Sequence, residues 1–146
     1  MATEIEHKYL VKDDSYREQV VQSYHITQGY LCREHVRTVR VRLRDESGFI
    51  TIKGAGNDVA RPEFEYEIPA ADARELLKMC EPPLLEKTRH IVEYQGNRWE
   101  VDEFHGRLQG LTLAELEIPS EDYQYDRPLW VGEDVTGDPR YHNSNL

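Results

Sequence analysis

Alternation with a period of two runs through much of this chain, and the polar half of each alternating segment tends to carry charges of one sign. In Val39-Arg40-Val41-Arg42-Leu43-Arg44, an extended backbone puts Val39, Val41 and Leu43 on one face. Thr38, Arg40, Arg42 and Arg44 fall on the other. Glu63-Phe64-Glu65-Tyr66-Glu67-Ile68 repeats the pattern with glutamate, and Glu4-Ile5-Glu6-His7-Lys8 puts Glu4, Glu6 and Lys8 on one face. Same-face neighbours along a strand are only about 7 Å apart. Runs of like charge at that spacing repel unless something of opposite sign lies across from them. A sheet with one face in water explains any single strand of this kind. Strands that turn their charged faces toward one shared interior explain the set.

Turn and cap signals divide the chain. The first strand spans residues 3–12, and Asp13-Asp14-Ser15 caps a short helix expected to run to about Val21. A second strand is expected over 23–33 with Gly29 as a kink or bulge. Strands over 36–44, 49–53 and 63–68 follow, separated by turns at 45–48 and 54–58. Residues 70–79 have helix-forming composition, and Pro82-Pro83 stops them. A hairpin over 85–94 and 98–105 turns at Gln95-Gly96-Asn97, and a last strand runs from Leu111 to Ile118. The remainder is looser, with Asp138 as a cap and Pro139 in the first turn of a final short helix.

About eight strands joined mostly by short turns favour antiparallel pairing, and eight such strands can close on themselves. The expected class is α+β, mainly β: an eight-stranded antiparallel closed barrel with a polar lumen, an apolar outside and two or three covering helices. One domain over residues 1–146 suits the length. An apolar share of only 38% agrees with an interior partly lined by polar groups.

A formal charge of −10 makes nucleic acid and anionic membrane poor general partners. The absence of a long apolar run excludes a signal peptide or a spanning helix of the usual kind, and two cysteines without CxxC point to a reduced, cytoplasmic setting. Gly54-Ala55-Gly56 lacks the lysine and hydroxyl residue of a P-loop, and the chain has neither HExxH nor GxSxG. His7, His35, His90 and His105 lack ligand spacing and are read as surface or packing residues. Trp99 and Trp130 are read as core or interface, and Cys32 and Cys80 as small buried apolar residues.

The charged faces themselves point to chemistry. Arg40, Arg42, Lys53, Lys87 and Arg89 suit a chain of phosphates, arginine as a planar fork and lysine as a point charge. Glu4, Glu6, Glu65, Glu115 and Glu117, with Glu63 and Asp102 on the corresponding faces, suit a hard divalent cation such as Mg²⁺ or Mn²⁺. Which of Glu63, Glu65 and Glu67 reaches the metal is left open. Cations and polyphosphate in one site are the usual machinery of phosphoryl transfer.

With those residues in place, the chain resembles the CYTH superfamily, the triphosphate tunnel metalloenzymes, and within it the small bacterial inorganic triphosphatases. The resemblance rests on ExExK (Glu4, Glu6, Lys8), Arg40-Val-Arg42, Lys53, the Glu63–Glu67 run, Lys87-Thr-Arg89, Glu100-Val-Asp102, Glu115-Leu-Glu117 and the tail from Trp130 to Thr136 with Arg140-Tyr141. It implies an eight-stranded tunnel that hydrolyses a linear triphosphate with Mg²⁺ or Mn²⁺. Inorganic tripolyphosphate is the first expectation. It further implies that Lys8, Tyr30 and Lys87 are catalytic and that Lys8, Arg40, Arg42, Lys53, Lys87 and Arg89 bind substrate. Adenylate cyclase chemistry, hydrolysis of a nucleoside or thiamine triphosphate, and non-catalytic polyphosphate binding are the alternatives. Only three residues precede ExExK, which argues against the cyclase branch. The chain also ends soon after the tail motif, so a helix that covers the tunnel in relatives is expected to be short here. A homodimer is compatible with exposed barrel walls.

Overall fold

The protein is described by a computed structural model over residues 3–34, 36–56 and 59–146. Among the described residues nine strands form: β1 (Thr3–Val11), β2 (Val20–Arg33), β3 (Arg37–Arg44), β4 (Ser47–Gly54), β5 (Ala60–Ile68), β6 (Glu81–Tyr94), β7 (Asn97–Phe104), β8 (Thr112–Glu117) and β9 (Val131–Asp134). The first eight close in the order β1-β5-β4-β3-β2-β6-β7-β8, back to β1, with antiparallel pairing throughout, and β9 adds to β1 from outside the ring. The expected barrel is therefore present. His35 and the end of the turn at 57–58 lie outside the described residues.

Several local expectations change. The helix after β1 is only a 3-10 turn, Ser15–Gln19, because β2 already starts at Val20 and its early pairing with Val92 of β6 overrides the cap signal. Helix α1 (Ala70–Lys78) ends before the two prolines, and β6 begins at Glu81 and runs through them, since Tyr30 pairs with Glu81. Gly29 does mark a bulge: the β2–β6 register shifts between Gln28 and Tyr30. The final strand is not the eighth. Val131–Asp134, in the stretch read as loose, pairs with β1 as β9.

The outside of the barrel is covered unevenly. Helix α1 packs Ala73 and Leu77 against Val41 on one side. The other side is covered not by a helix but by the irregular segment leading to β9, which seats Tyr125 and Trp130 against Trp99, Tyr9 and Leu116. Trp99 and Trp130 are thus core residues. Cys80 is buried, Cys32 is half-buried, and both are free.

The lumen is not polar along its whole length. Leu85, Phe104 and Leu113 lie on the same faces as Lys87, Asp102 and Glu115, and they pack with Val135, Tyr141 and Leu146. An apolar plug therefore fills one end. The charged half-barrel stands on top of it.

Candidate active site

The ring closes so that the charged faces meet one cavity of about 180 Å³. Its wall includes Glu4, Glu6 and Lys8 from β1, Tyr30 from β2, Arg40 and Arg42 from β3, Lys53 from β4, Glu63 and Glu65 from β5, Arg89 from β6, and Glu115 and Glu117 from β8. Twelve of the fourteen candidate residues are brought together there; Glu67 is not in the wall. Lys87 and Asp102 are the two that are not. They form a buried pair below the wall, Nζ to Oδ2 at 2.8 Å, where the charged lumen meets the ring of Phe104.

Register decides which charges touch. Lys53 opposes Glu63 at 3.6 Å and reaches Glu4 at 2.8 Å. Lys8 opposes Glu115 at 3.6 Å, and its ammonium also donates to the carbonyl of Tyr141 at 2.9 Å. Arg89 grips Asp102 with two nitrogens at 2.8 and 2.9 Å and reaches Glu100 at 3.3 Å. Thr51, fully buried, accepts from Arg40 at 3.1 Å and donates to Glu65 at 3.2 Å.

Two regions keep charge of one sign. Glu6 pairs directly with Glu117 across β1 and β8, an arrangement of like charges that destabilises a sheet on its own. Burial, then Glu115 and Glu4, hold the Glu6 carboxyl well above its ordinary range, and burial, then Glu4 and Glu100, raise Glu117. On the opposing wall Arg40 and Arg42 follow each other along β3. Burial, then Arg40 and Arg89, push Arg42 down to about 9. Arg40 Nε is buried with no hydrogen-bond partner among the described residues.

The acidic wall fits a divalent metal by donor chemistry, since hard cations take carboxylate oxygens and would relieve the Glu6–Glu117 repulsion. Among the described residues, no three acids, histidines or cysteines already converge on one ion-sized gap. The reason is visible: Glu4 and Glu115 are held by ammonium groups. Asp102 is the candidate ligand with the least freedom. Burial opposes its charge, but Arg89 and Lys87 outweigh it and hold the carboxyl well below its usual range.

Sequence reasoning missed several wall residues. Arg61 and Phe49 in the wall, and the buried Thr51 and Gln28 that bond to wall residues, share the faces of Glu63, Lys53 and Tyr30, so the same two-residue count would have found them. His142, Asn143 and Ser144 also line the cavity, from 3-10 turns at the end of the chain. No periodicity marks them.

A family model described as CYTH domain matches residues 2–143. The chain is similar to an inorganic triphosphatase of Acetivibrio thermocellus, 44% identical over 147 residues, covering 100% of this chain and 94% of that protein. It is also similar to an inorganic triphosphatase of Nitrosomonas europaea, 35% identical over 149 residues, covering 99% and 96%. Among solved structures, the inorganic triphosphatase NE1496 superposes with a TM-score of 0.71 at 33% identity, over 99% of this chain and 94% of that one. The PH1012 protein of Pyrococcus horikoshii, at 18% identity, shares the fold with a TM-score of 0.65 over 82% of this chain and 80% of that one.

Proposed function

Because the chain belongs to the CYTH family, we propose that it is a divalent-metal-dependent triphosphatase that cleaves inorganic tripolyphosphate to pyrophosphate and phosphate. The named relatives are hydrolases of phosphoanhydride bonds, and dependence on a divalent metal follows from the family. One observation carries the reading. A cavity of about 180 Å³ sets an acid-against-acid pair, Glu6 and Glu117, in the same chamber as a run of arginines. Such a chamber is complete only with cations and a polyanion together.

The preference for a bare triphosphate rests on the wall. Sites for organic groups are lined mostly by apolar and aromatic side chains. Here the wall is charged almost throughout, with Phe49 and Tyr30 as its large ring carbons. Arg40, Arg42 and Arg89 would bind the phosphate oxygens, and Lys8 and Lys53 would join them once substrate or metal competes for their carboxylates. Glu4, Glu6 and Glu117 would hold Mg²⁺ or Mn²⁺, with Glu63, Glu65 and Glu115 in reach of the same chamber. The metal supplies charge neutralisation and orientation at the phosphate oxygens. Positioning and electrostatic stabilisation then dominate, because phosphoryl transfer asks little covalent chemistry of the protein. Water attacks a terminal phosphorus, the bridging P–O bond breaks, and the leaving pyrophosphate keeps the electron pair. Asp102 reads better as a clamp on Arg89 and Lys87 than as a metal ligand, and Lys87, which burial pushes down to about 7, stands below the wall between Asp102 and Asn143. Tyr30 stands in the wall beside Arg40, its partner in the β2–β3 ladder.

No helix among the described residues is long and apolar enough to cross a membrane. A cytoplasmic setting suits the two free cysteines. Exposed Ile52, Phe64 and Tyr66 on the outer faces of β4 and β5 offer a surface for a homodimer, which sedimentation would test.

The deciding experiment compares phosphate release from tripolyphosphate, ATP and thiamine triphosphate with Mg²⁺, Mn²⁺ or EDTA, and assays cyclic AMP from ATP. Fast metal-dependent release from tripolyphosphate is expected. Equal or faster turnover of ATP, or cyclic AMP as product, would overturn the inorganic preference, and no release from any triphosphate would overturn hydrolysis.

A further inference from the structure

The end of the chain touches Lys8 in the cavity wall and Lys87 just below it, and reaches Arg42 through Gln28. Asn143 opens the 3-10 turn Asn143–Asn145. Its side-chain oxygen accepts from Lys87 Nζ at 3.0 Å and from Gln28 Nε2 at 3.5 Å. Gln28, fully buried, turns its own oxygen to Arg42 Nε at 3.1 Å. The carbonyl of Tyr141, two residues earlier, accepts from Lys8 Nζ. This segment is held in turn: Asp138 caps the preceding turn, Asn145 donates to the carbonyl of Pro139 at 2.8 Å, and Tyr141 and Leu146 pack on the apolar plug.

A lysine with no solvent contact keeps a defined position only if acceptors take its three N–H donors. Asp102 and Asn143 take two of them from opposite partners, one on β7 and one on the tail. We infer that Asn143 is a positioning residue of the triphosphate site: its oxygen sets where the Lys87 ammonium sits and, through Gln28, steadies the Arg42 guanidinium. The inference rests on the triphosphatase reading, because it gives those two cations a substrate to meet. It also means that a segment remote in sequence from every charged strand helps to set the site's geometry.

The test is a double-mutant cycle read as kcat/KM on tripolyphosphate. Asn143→Leu keeps the side chain's approximate bulk and removes the acceptor, so a loss of about tenfold or more is expected in the wild-type background. In a Lys87→Ala background the same change should cost clearly less, because its partner is already gone. A merely structural role would cost the same in both. Asn143→Asp, which keeps the acceptor oxygen, should lie closer to wild type than Asn143→Leu. Equal losses in the two backgrounds, or an unchanged Asn143→Leu enzyme, overturn the inference. If Asn143→Leu does not fold, Gln28→Leu gives the second cycle, against Arg42→Ala. Calorimetric binding of tripolyphosphate in EDTA reads the same couplings without turnover. An inactive wild type would then overturn the assigned reaction while the couplings still decide this point.

Discussion

The Lys87 ammonium lies 2.8 Å from the Asp102 carboxylate, and neither side chain reaches solvent. Asp102 also receives two nitrogens of Arg89. One carboxylate thus compensates two buried cations. Asp102→Ala would leave them facing each other, and breaking a buried pair in this way costs about 3–5 kcal/mol. Denaturant unfolding without metal measures it. A loss under about 1 kcal/mol would mean that solvent enters and the clamp is not needed.

Glu6 gives the opposite sign. Its folded pKa is raised, so the fold prefers the neutral acid, and the ionised form destabilises the protein as pH rises above the unfolded value of about 4.3. Glu6→Gln should therefore raise the melting temperature at neutral pH in EDTA. The same variant should lose most of the melting shift that Mg²⁺ or Mn²⁺ gives the wild type, together with metal-dependent phosphate release. A lower melting temperature in EDTA would show that Glu6 is already well compensated by Lys8 and Lys53.

Glu115 behaves as an ordinary ion-pair partner. Burial works against its charge, but Lys8 and Arg89 outweigh that and hold the carboxyl at about 2. Its folded pKa lies below the unfolded value, so its contribution is complete above about pH 5 and is lost as pH falls toward 2. Stability of the metal-free protein should fall steeply across that window. In Glu115→Gln the fall should be shallower, and metal-dependent turnover should be lost. Identical acid limbs in the two proteins would remove Glu115 from the account.

Gly29 carries the bulge that places Tyr30 in the cavity wall. A Cβ at this position would come within 2.6 Å of Leu84 and 2.9 Å of Cys80, just past the end of α1. Gly29→Ala must therefore push β2 away from its neighbours, at a cost of about 1–3 kcal/mol. Turnover should drop with stability, because Tyr30 moves with the strand. A thermal melt together with kcat checks both, and an unchanged melt would mean that Leu84 simply swings aside.

Much of the barrel and the cavity was legible in the sequence, for a local reason. Side-chain direction along a strand depends only on parity, so Glu4, Glu6 and Lys8 share a face whatever the strand pairs with. Eleven of the twelve candidates that reached the cavity were found on that basis, and Tyr30 came from the family resemblance. Parity failed where the lumen changes character. Leu85 and Lys87 have the same parity, yet Leu85 joins the apolar plug and Lys87 sits on its edge, out of the wall. It failed again at β9 and the tail, where no pattern marks Val131–Asp134 as a strand or Asn143 as a neighbour of Lys87.

By itself, then, the sequence determined the two faces of each strand, the sign of charge each face carries, and the family those signs identify. Only the closed structure decided that Glu6 meets Glu117 while Lys8 meets Glu115, that Asp102 is spent on Arg89 and Lys87, and that the last residues reach back to the lysines. The physical reason is range. The face of a strand is set by its own backbone, whereas register is set by closure and packing across the whole ring, and a slip of one residue would turn every one of these charges to the other side.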